Sequence, residues 1–186
     1  MGDVLVRPAR ASDVKAIRAI VAPYAEERIL IAKDPVAYFE SIQQFVVAEL
    51  DDRIVGCGAL HVFWEDLAEI RTLAVDRSVV GRGIGAAIVK RLIANAREIG
   101  VRRVFCLTFE TAFFAAFGFV EIEGAPVSQA VFRQLLRSYD EGTAELLDLD
   151  RVKPNTLGNT RMLLLSLIHI SEPTRRTPIS YAVFCL

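Results

Sequence analysis

Three glycines at alternate positions, Gly81, Gly83 and Gly85, precede an amphipathic helix pattern in the segment SVVGRGIGAAIVKRL, residues 78–92. Glycines spaced this closely leave the backbone N–H groups uncovered and allow a ligand to approach the main chain. The first N–H groups of a helix have no partner within it, and the helix dipole places positive charge at the same end. The segment therefore predicts a loop that can bind an anion.

Two common phosphate-binding loops do not fit this segment. A P-loop needs Lys-Ser or Lys-Thr after its glycines, whereas Gly85 is followed by two alanines. A dinucleotide-binding fold places its glycine turn near the chain start and a carboxylate at the end of the next strand. Here the segment lies mid-chain, and the following RRVFCLTF ends without that carboxylate. Glycines that only permit tight packing of a strand against a helix are a third interpretation.

The composition limits the classes of protein that the chain can represent. With 186 residues, 53% of them hydrophobic, and a net charge of −1, the chain suits one domain with a sizeable core. It has no signal-peptide pattern and no apolar run near the roughly 18 residues of a membrane span. Its scattered Lys and Arg form no nucleic-acid-binding stripe. Cys57, Cys106 and Cys185 are too few and too far apart for a disulfide framework or a metal site. We expect a reduced, soluble, cytoplasmic protein without metal.

The order of secondary structure that surrounds the glycine segment follows from hydrophobic periodicity. The predicted order is β-α-α-β-β-β-α-β-α-β-α-β, which indicates a mixed α/β domain rather than a doubly wound one. A hairpin turn is expected at residues 51–53, a strand at 67–76 and a long helix at 83–99. VSQAVFRQLLRSYDEG, residues 127–142, has the pattern of one continuous helix.

The last 22 residues are interpreted separately from the rest of the chain. LSLIHISEPTR and ISYAVFCL, within residues 165–186, match codon by codon the translation of a transposase adapter and a flow-cell primer used in DNA sequencing. We therefore expect a single domain over residues 1–164 and a non-native tail over residues 165–186, which we exclude from functional interpretation.

The central part of the chain resembles the GNAT acyltransferase superfamily. The resemblance is carried by LAVDRSVVGRGIGAAIVKRLIANAREIGVRRVFCLT and FFAAFGFVEIEG. It implies a central mixed, mostly antiparallel sheet flanked by helices, with acetyl-CoA as co-substrate. Val80 departs from the family pattern, which usually has Arg or Gln at this position. The residues implied in CoA binding are Leu73, Ala74 and Val75 along the pantetheine arm, Gly81, Arg82, Gly83, Ile84, Gly85 and Ala86 at the pyrophosphate, and Phe114.

Within that superfamily the chain is most similar to the N-acetylglutamate synthase type, in a short stand-alone form. The similarity rests on ERILIAKD, IVGCGALHVF, AEIRTLAVD, FFAAFGF and LGNTRMLL. It implies that basic side chains bind the amino-acid substrate, with Lys33 at a matching position and Arg28 nearby. Toward the C-terminus Arg161 replaces a lysine of the pattern, and Gly158 stands where an arginine is usual. Arg71 or Lys153 can supply that missing cation.

The strand EIRTLAV is implied to carry the chemistry. Strict alternation separates Glu69 from Thr72, whereas the bulge found here in the superfamily brings both to the site. An attacking α-amine must lose a proton, and Glu69 can accept it directly or through water. Thr72 takes the place of a cysteine in the related enzymes and is expected to orient the amine or a water. Cys57, Cys106 and His61 are interpreted as structural residues.

The favoured hypothesis is therefore transfer of an acetyl group from acetyl-CoA to the α-amino group of L-glutamate, the first step of arginine biosynthesis. L-Glutamine stays open as the acceptor. Acetylation of a protein N-terminus or another amine, and a non-catalytic domain that binds acyl-CoA, are the alternatives. The expected partners are acetyl-CoA and an amino acid, with neither nucleic acid nor membrane, and a homodimer stays open.

Overall fold

The computed structural model describes residues 3–147 and 158–165, and this part of the chain contains seven strands and six helices. Shorter turns of 3-10 helix connect some of them. The strands are β1 Leu5–Pro8, β2 Phe45–Leu50, β3 Arg53–Trp64, β4 Leu67–Val75, β5 Arg103–Thr108, β6 Val120–Glu121 and β7 Thr160–Leu165. The helices are α1 Val14–Glu26, α2 Pro35–Glu40, α3 Ile84–Glu98, α4 Thr111–Ala115, α5 Gln129–Leu135 and α6 Glu141–Leu146.

All seven strands belong to one sheet in the order β1-β2-β3-β4-β5-β7-β6. Each neighbouring pair is antiparallel except β4 and β5, which run parallel. The parallel pair is joined by α3, as a crossover connection requires. The predicted mixed, mostly antiparallel sheet is confirmed.

The parallel pair separates soon after it begins. Residues 67–69 of β4 pair with residues 103–105 of β5, and the described part of the sheet has no further pairing between these two strands. Both strands nevertheless continue, β4 to Val75 and β5 to Thr108. The strands therefore diverge and leave the second half of β4 with an open edge.

A β-bulge bends β4 at the point where this edge opens. Ala59 pairs with Arg71 and Cys57 with Ala74, so two residues of β4 oppose the single residue Gly58. One of these two residues, Thr72, has φ +56°. A left-handed backbone is costly for a β-branched side chain, so the surrounding sheet must hold this conformation in place.

Helices cover both faces of the sheet. Alternate strand residues face opposite sides, and each side carries apolar residues that pack against a helix. Val46 packs in the cluster that contains the buried face of α3, whereas Val47 packs with the buried face of α1. A methyl group at Gly58 would lie only 2.8 Å from Ile88 of α3, so this glycine permits the close approach of the long helix.

The predicted single helix over residues 127–142 is wrong. The structure has two helices there, α5 and α6, separated by residues 136–140. Ser128 accepts a hydrogen bond from Val131 N–H at the start of α5, and Asp140 accepts one of 2.9 Å from Thr143 N–H at the start of α6. Asp140 is thus a second N-capping residue within the predicted helical pattern, and a new helix begins after it.

The tail interpretation falls almost wholly outside the described residues. Strand β7 extends through Leu165, whereas residues 166–186 are not among those that the structure describes. Within residues 3–147 and 158–165, no helix has the length and apolar character needed to cross a membrane. The same part of the chain contains no group of three His, Cys, Asp or Glu side chains arranged to hold a metal ion.

Candidate active site

A cavity of about 860 Å³ occupies the opening between β4 and β5. Its lining includes the turn before α3, the open edge of β4 and residues 29–34, which lie between α1 and α2. Two chemically different regions share this cavity. Backbone groups around Gly83 form the first, named here the cradle (residues 79–86). Charged side chains form the second, named here the acceptor pocket (Lys33, Gln44, His61, Glu69, Arg71, Thr72 and Asp140).

The cradle exposes backbone N–H groups at the start of α3. The first bond of this helix runs from Ala87 N–H to the Gly83 carbonyl at 3.0 Å. The N–H groups of Ile84, Gly85 and Ala86 precede that bond and have no partner within the helix, and all three residues line the cavity. Together with the dipole of a 15-residue helix, they suit a phosphate anion.

Left-handed glycines shape the cradle. Gly81 has φ +84° and Gly83 has φ +79°, and a methyl group added at either position would meet no atom within 4 Å. The requirement for glycine at these two positions is therefore conformational rather than a matter of space. Gly85 has an ordinary helical backbone, and a methyl group there would lie 3.5 Å from Phe113.

The open edge of β4 continues from the cradle toward the acceptor pocket. Leu73, Ala74 and Val75 line the cavity, and so does Phe114 of α4. The hydroxyl of Tyr24 donates a 2.7 Å hydrogen bond to the Val75 carbonyl. This apolar strip with an exposed strand edge suits an extended ligand that combines amide groups with a thin chain.

Lys33 brings a cation to the acceptor pocket. Its Nζ lies 3.4 Å from Thr72 Oγ1, to which it donates. Burial, followed by the positive charge of Arg71, lowers the Lys33 pKa to about 8. At pH 7 the Lys33 amine is therefore still mostly protonated. Because burial of the resulting ammonium is costly, a bound anion would stabilise it strongly.

Arg71 is held in an ion-pair network. Its Nη1 donates to both carboxylate oxygens of Asp140, at 2.8 and 3.0 Å, and its Nη2 donates to Gln44 at 3.4 Å. Burial alone would raise the pKa of Asp140, but the charge and hydrogen bonds of Arg71 outweigh it and hold this pKa below its usual value. Asp140 is thus an anion facing the cavity.

Glu69 lies where β5 departs from β4. Its side chain is buried, with 3% of the residue exposed, and it lines the cavity. One carboxylate oxygen lies 3.8 Å from Arg71 Nη1. A buried carboxylate that opens only into a ligand cavity is well placed to accept a proton from a bound amine.

His61 belongs to the acceptor pocket, although its position in an apolar strand favoured a purely structural role. It pairs with Glu69 across β3 and β4, and its Nδ1 lies 3.2 Å from Gln44 Oε1. Burial, followed by the charge of Arg71, lowers the His61 pKa to about 4. The imidazole is therefore neutral at pH 7.

The two cysteines in the described part of the chain are core residues, as expected. Cys57 is fully buried below Thr72 and donates a 3.6 Å hydrogen bond to the Thr72 carbonyl. Burial raises the Cys57 pKa to about 12, and it also raises the pKa of Cys106. Neither thiol forms a thiolate readily, so neither suits a nucleophilic role.

Three basic residues that were candidates for ligand binding do not line the cavity within the part of the chain that the structure describes: Arg28, Arg82 and Arg161. Arg28 is exposed just after α1, and Arg82 is exposed between the two left-handed glycines. Arg161 pairs with Leu107 on β7, which is separated from β4 by the whole of β5. Lys153, which was also named as a candidate cation, lies outside the described residues.

Four lining residues that face the reaction region escaped the sequence-based prediction of a site: Tyr24, Gln44, His61 and Asp140. A hairpin count would not have found His61. Counting back from the Trp64–Leu67 pair puts His61 opposite Ile70, and only the register shift between Val62 and Trp64 brings it opposite Glu69. Asp140 had no local signal either, because it lies 69 residues from Arg71 in the chain.

Comparison with known proteins establishes the family. The sequence profile of the Acetyltransferase (GNAT) family matches residues 14–147. The chain belongs to this family. The GNAT fold that the resemblance implied is thereby confirmed, and so is the use of acetyl-CoA.

Among the relatives of this GNAT protein, the amino-acid acetyltransferase of Mycobacterium tuberculosis is 57% identical over 164 residues, 87% of this chain and 94% of that one. The amino-acid acetyltransferase of Neisseria meningitidis serogroup A is 35% identical over 118 residues. This match covers 62% of the chain and 27% of the relative, so the chain spans about a quarter of that protein.

Two solved structures have the same fold. A Mycobacterium tuberculosis protein in complex with CoA and NLQ superposes with a TM-score of 0.84 at 57% identity, covering 88% of this chain and 99% of that one. N-acetylglutamate synthase of Neisseria gonorrhoeae, complexed with CoA and N-acetyl-glutamate, gives a TM-score of 0.70 at 24% identity. That match covers 89% of this chain and 36% of the other, and it supports the fold alone.

Proposed function

We propose that this GNAT protein transfers the acetyl group of acetyl-CoA to the α-amino group of L-glutamate, the reaction that begins arginine biosynthesis. The observation that carries the proposal is the acceptor pocket, where the cations Lys33 and Arg71 share one cavity with the buried Glu69. The 57% identical amino-acid acetyltransferase of Mycobacterium tuberculosis supports the same class of acceptor.

The donor occupies the cavity from the cradle inward. Acetyl-CoA supplies the acetyl group as a thioester. The N–H groups of Ile84, Gly85 and Ala86 hold its pyrophosphate, and the edge of β4 guides the remaining chain past Val75. Because the cradle and Glu69 line the same cavity, the thioester end of the donor is brought to the acceptor pocket.

The acceptor must arrive with its amine neutral. For an amine whose pKa lies one to two units above ambient pH, deprotonation costs about 1.4–2.7 kcal/mol. Glu69 accepts this proton as the amine nitrogen forms its bond to the acyl carbon. The C–S bond of the thioester then breaks, and CoA leaves as a thiolate that takes a proton from water. Buried beside Arg71 at 3.8 Å, Glu69 is a fixed acceptor rather than a solvated one.

Lys33 binds the α-carboxylate of the acceptor. Its ammonium is largely buried and is hydrogen-bonded at 3.4 Å to the hydroxyl of Thr72. An incoming carboxylate relieves the cost of that burial. The left-handed bulge fixes Thr72 at the centre of the acceptor pocket, so Thr72 orients the ammonium and the amine together.

L-Glutamine is the second candidate acceptor. Arg71, the cation best suited to a second carboxylate, already pairs with Asp140 through two hydrogen bonds. An uncharged side-chain amide needs no additional cation in the pocket.

The proposal is tested by incubating the full chain with acetyl-CoA and single candidate acceptors, with release of CoA thiol as the signal. The panel contains L-glutamate, L-glutamine, L-aspartate, spermidine and a short peptide with a free N-terminus. We expect turnover with glutamate or glutamine and a mass increase of one acetyl group in the product. Preferred acetylation of spermidine or of the peptide would overturn the proposal, because neither acceptor presents an α-carboxylate for Lys33 to bind next to the reacting amine.

A further inference from the structure

The loop between α5 and α6 brings a carboxylate into contact with Arg71, one of the two cations of the acceptor pocket. Asp140 accepts hydrogen bonds of 2.8 and 3.0 Å from Arg71 Nη1 through its two oxygens. We propose that Asp140 is a specificity-determining residue, which occupies Arg71 in the manner of a second substrate carboxylate and thereby restrains acetylation of acidic acceptors. This inference rests on the proposed function.

The charges around the pocket make this restraint effective. Among the described lining residues, the only cations are Lys33 and Arg71, and His61 is neutral at pH 7. They face the carboxylates of Glu69 and Asp140, while the exposed Asp34, Glu40 and Glu110 also line the cavity and add negative charge. An acceptor with one carboxylate pairs with Lys33. A second carboxylate must instead compete with Asp140 for Arg71.

Asp140 also has a structural role that a test must preserve. Its Oδ1 accepts the Thr143 N–H at 2.9 Å and thereby caps α6. Asparagine is as good an N-cap as aspartate and nearly identical in shape, but it has no charge. Asp140→Asn therefore removes the ionic competitor of the substrate while keeping the cap and one acceptor oxygen.

The Arg103–Asp66 pair offers a matched control. Its hydrogen bonds of 2.9 and 3.1 Å also join an arginine to both oxygens of one aspartate, and neither residue lines the cavity within the described part of the chain. Asp66→Asn thus removes the same charge from the same kind of pair at a distance from the acceptor.

The experiment measures kcat/KM for L-glutamate and for L-glutamine with the full-length wild type, Asp140→Asn and Asp66→Asn. We expect Asp140→Asn to raise the glutamate-to-glutamine ratio by about tenfold, because a negative charge within a few ångströms of the second carboxylate is removed. The change should appear in KM for glutamate, with KM for acetyl-CoA unaltered. Asp66→Asn should leave the ratio unchanged.

An unchanged ratio in Asp140→Asn, or an equal loss for both amino acids, would overturn the inference while leaving the proposed function intact. Asp140→Ser, which also caps a helix but is too short to reach Arg71, should raise the ratio as well and replaces the first variant if that one does not fold. If the wild type acetylates neither amino acid, the proposed function itself fails, an outcome distinct from a constant ratio.

Discussion

The cradle and the acceptor pocket line the same cavity but are built by opposite means. The cradle is a continuous stretch of eight residues, 79–86, and it presents main-chain N–H groups from one helix end. The acceptor pocket draws Lys33, Arg71 and Asp140 from three distant parts of the chain and presents side-chain charges. One region depends on backbone conformation, and the other depends on pairing between charges.

This difference predicts opposite sensitivities. The cradle should tolerate changes of side-chain charge and respond to changes that alter φ, because its donors are peptide groups. The acceptor pocket should respond to loss of a single charge, because removing one member of a buried ion pair leaves the opposite charge uncompensated. Variants that affect one region and not the other therefore test whether the two regions are functionally separate.

The largest effect is expected from Glu69→Gln. An amide cannot accept the amine proton, so kcat should fall by about 100- to 10,000-fold, the range typical of a lost general base. Binding of CoA, measured by calorimetry, should stay within about twofold because the cradle is untouched. Glu49→Gln is the control: Glu49 also lies on a strand beside an arginine, 2.8 Å from Arg7. A normal kcat in Glu69→Gln would show that Glu69 does not accept the amine proton.

The next effect is expected from Gly83→Val, which acts on the cradle alone. Valine at φ +79° is strained, and relaxing that strain turns the N–H groups of the cradle away from their common direction. We expect CoA to bind about tenfold more weakly or worse, whereas kcat at saturating donor should change little. Gly100→Val has the matching φ of +83° at the other end of α3 with equally open space. Equal losses of CoA affinity in both variants would show a general folding defect instead.

The same contrast explains how much of the molecule the sequence predicts. The glycine spacing and the helix that follows are local features, and they predicted an anion-binding loop. Hydrophobic periodicity predicted the mixed α/β order, and the family resemblance implied the mostly antiparallel sheet. The expected bulge in β4 is present at Thr72, although its left-handed backbone follows from pairing with β3 rather than from threonine itself. Local patterns therefore predict the backbone geometry of the cradle.

The acceptor pocket was predicted only in part, for a physical reason. Lys33 lies 39 residues from its partner Thr72, and Asp140 lies 69 residues from Arg71. Nothing local to Asp140 indicates an ion pair, because its partner Arg71 lies on a distant strand. The same residue, as the cap of α6, also accounts for the wrong prediction of one helix over 127–142. Pairings of this kind are fixed by the tertiary fold and not by spacing.

A third test uses pH to separate the two regions. The Lys33 pKa is lowered to about 8 by burial, so the fraction of cation falls as pH rises through that value. Affinity for N-acetyl-L-glutamate, which has no amine to titrate, should fall by about tenfold between pH 7 and pH 9. Lys33→Met, which keeps the buried aliphatic stem, should bind weakly at both pH values. CoA affinity that fell in parallel would contradict a separate role for Lys33.

The smallest expected effect concerns Val80, which is 61% exposed beside the cradle and stands where the related family pattern has Arg or Gln. Because main-chain groups provide the present contacts, a new charge should add to them without rearranging them. We expect Val80→Arg to bind CoA about three- to fivefold more tightly at low salt, since an exposed pair contributes about 1 kcal/mol or less. The gain should disappear near 1 M salt, where screening is nearly complete.

Val120→Arg is the control for this variant, because Val120 is 52% exposed on β6 and lies outside the lining of the cavity among the described residues. It should leave CoA affinity unchanged at every salt concentration. A gain of a hundredfold or more in Val80→Arg would mean that side-chain charge, and not the backbone, dominates pyrophosphate binding. The cradle and the acceptor pocket would then both depend on charged side chains, and the proposed difference between them would be wrong.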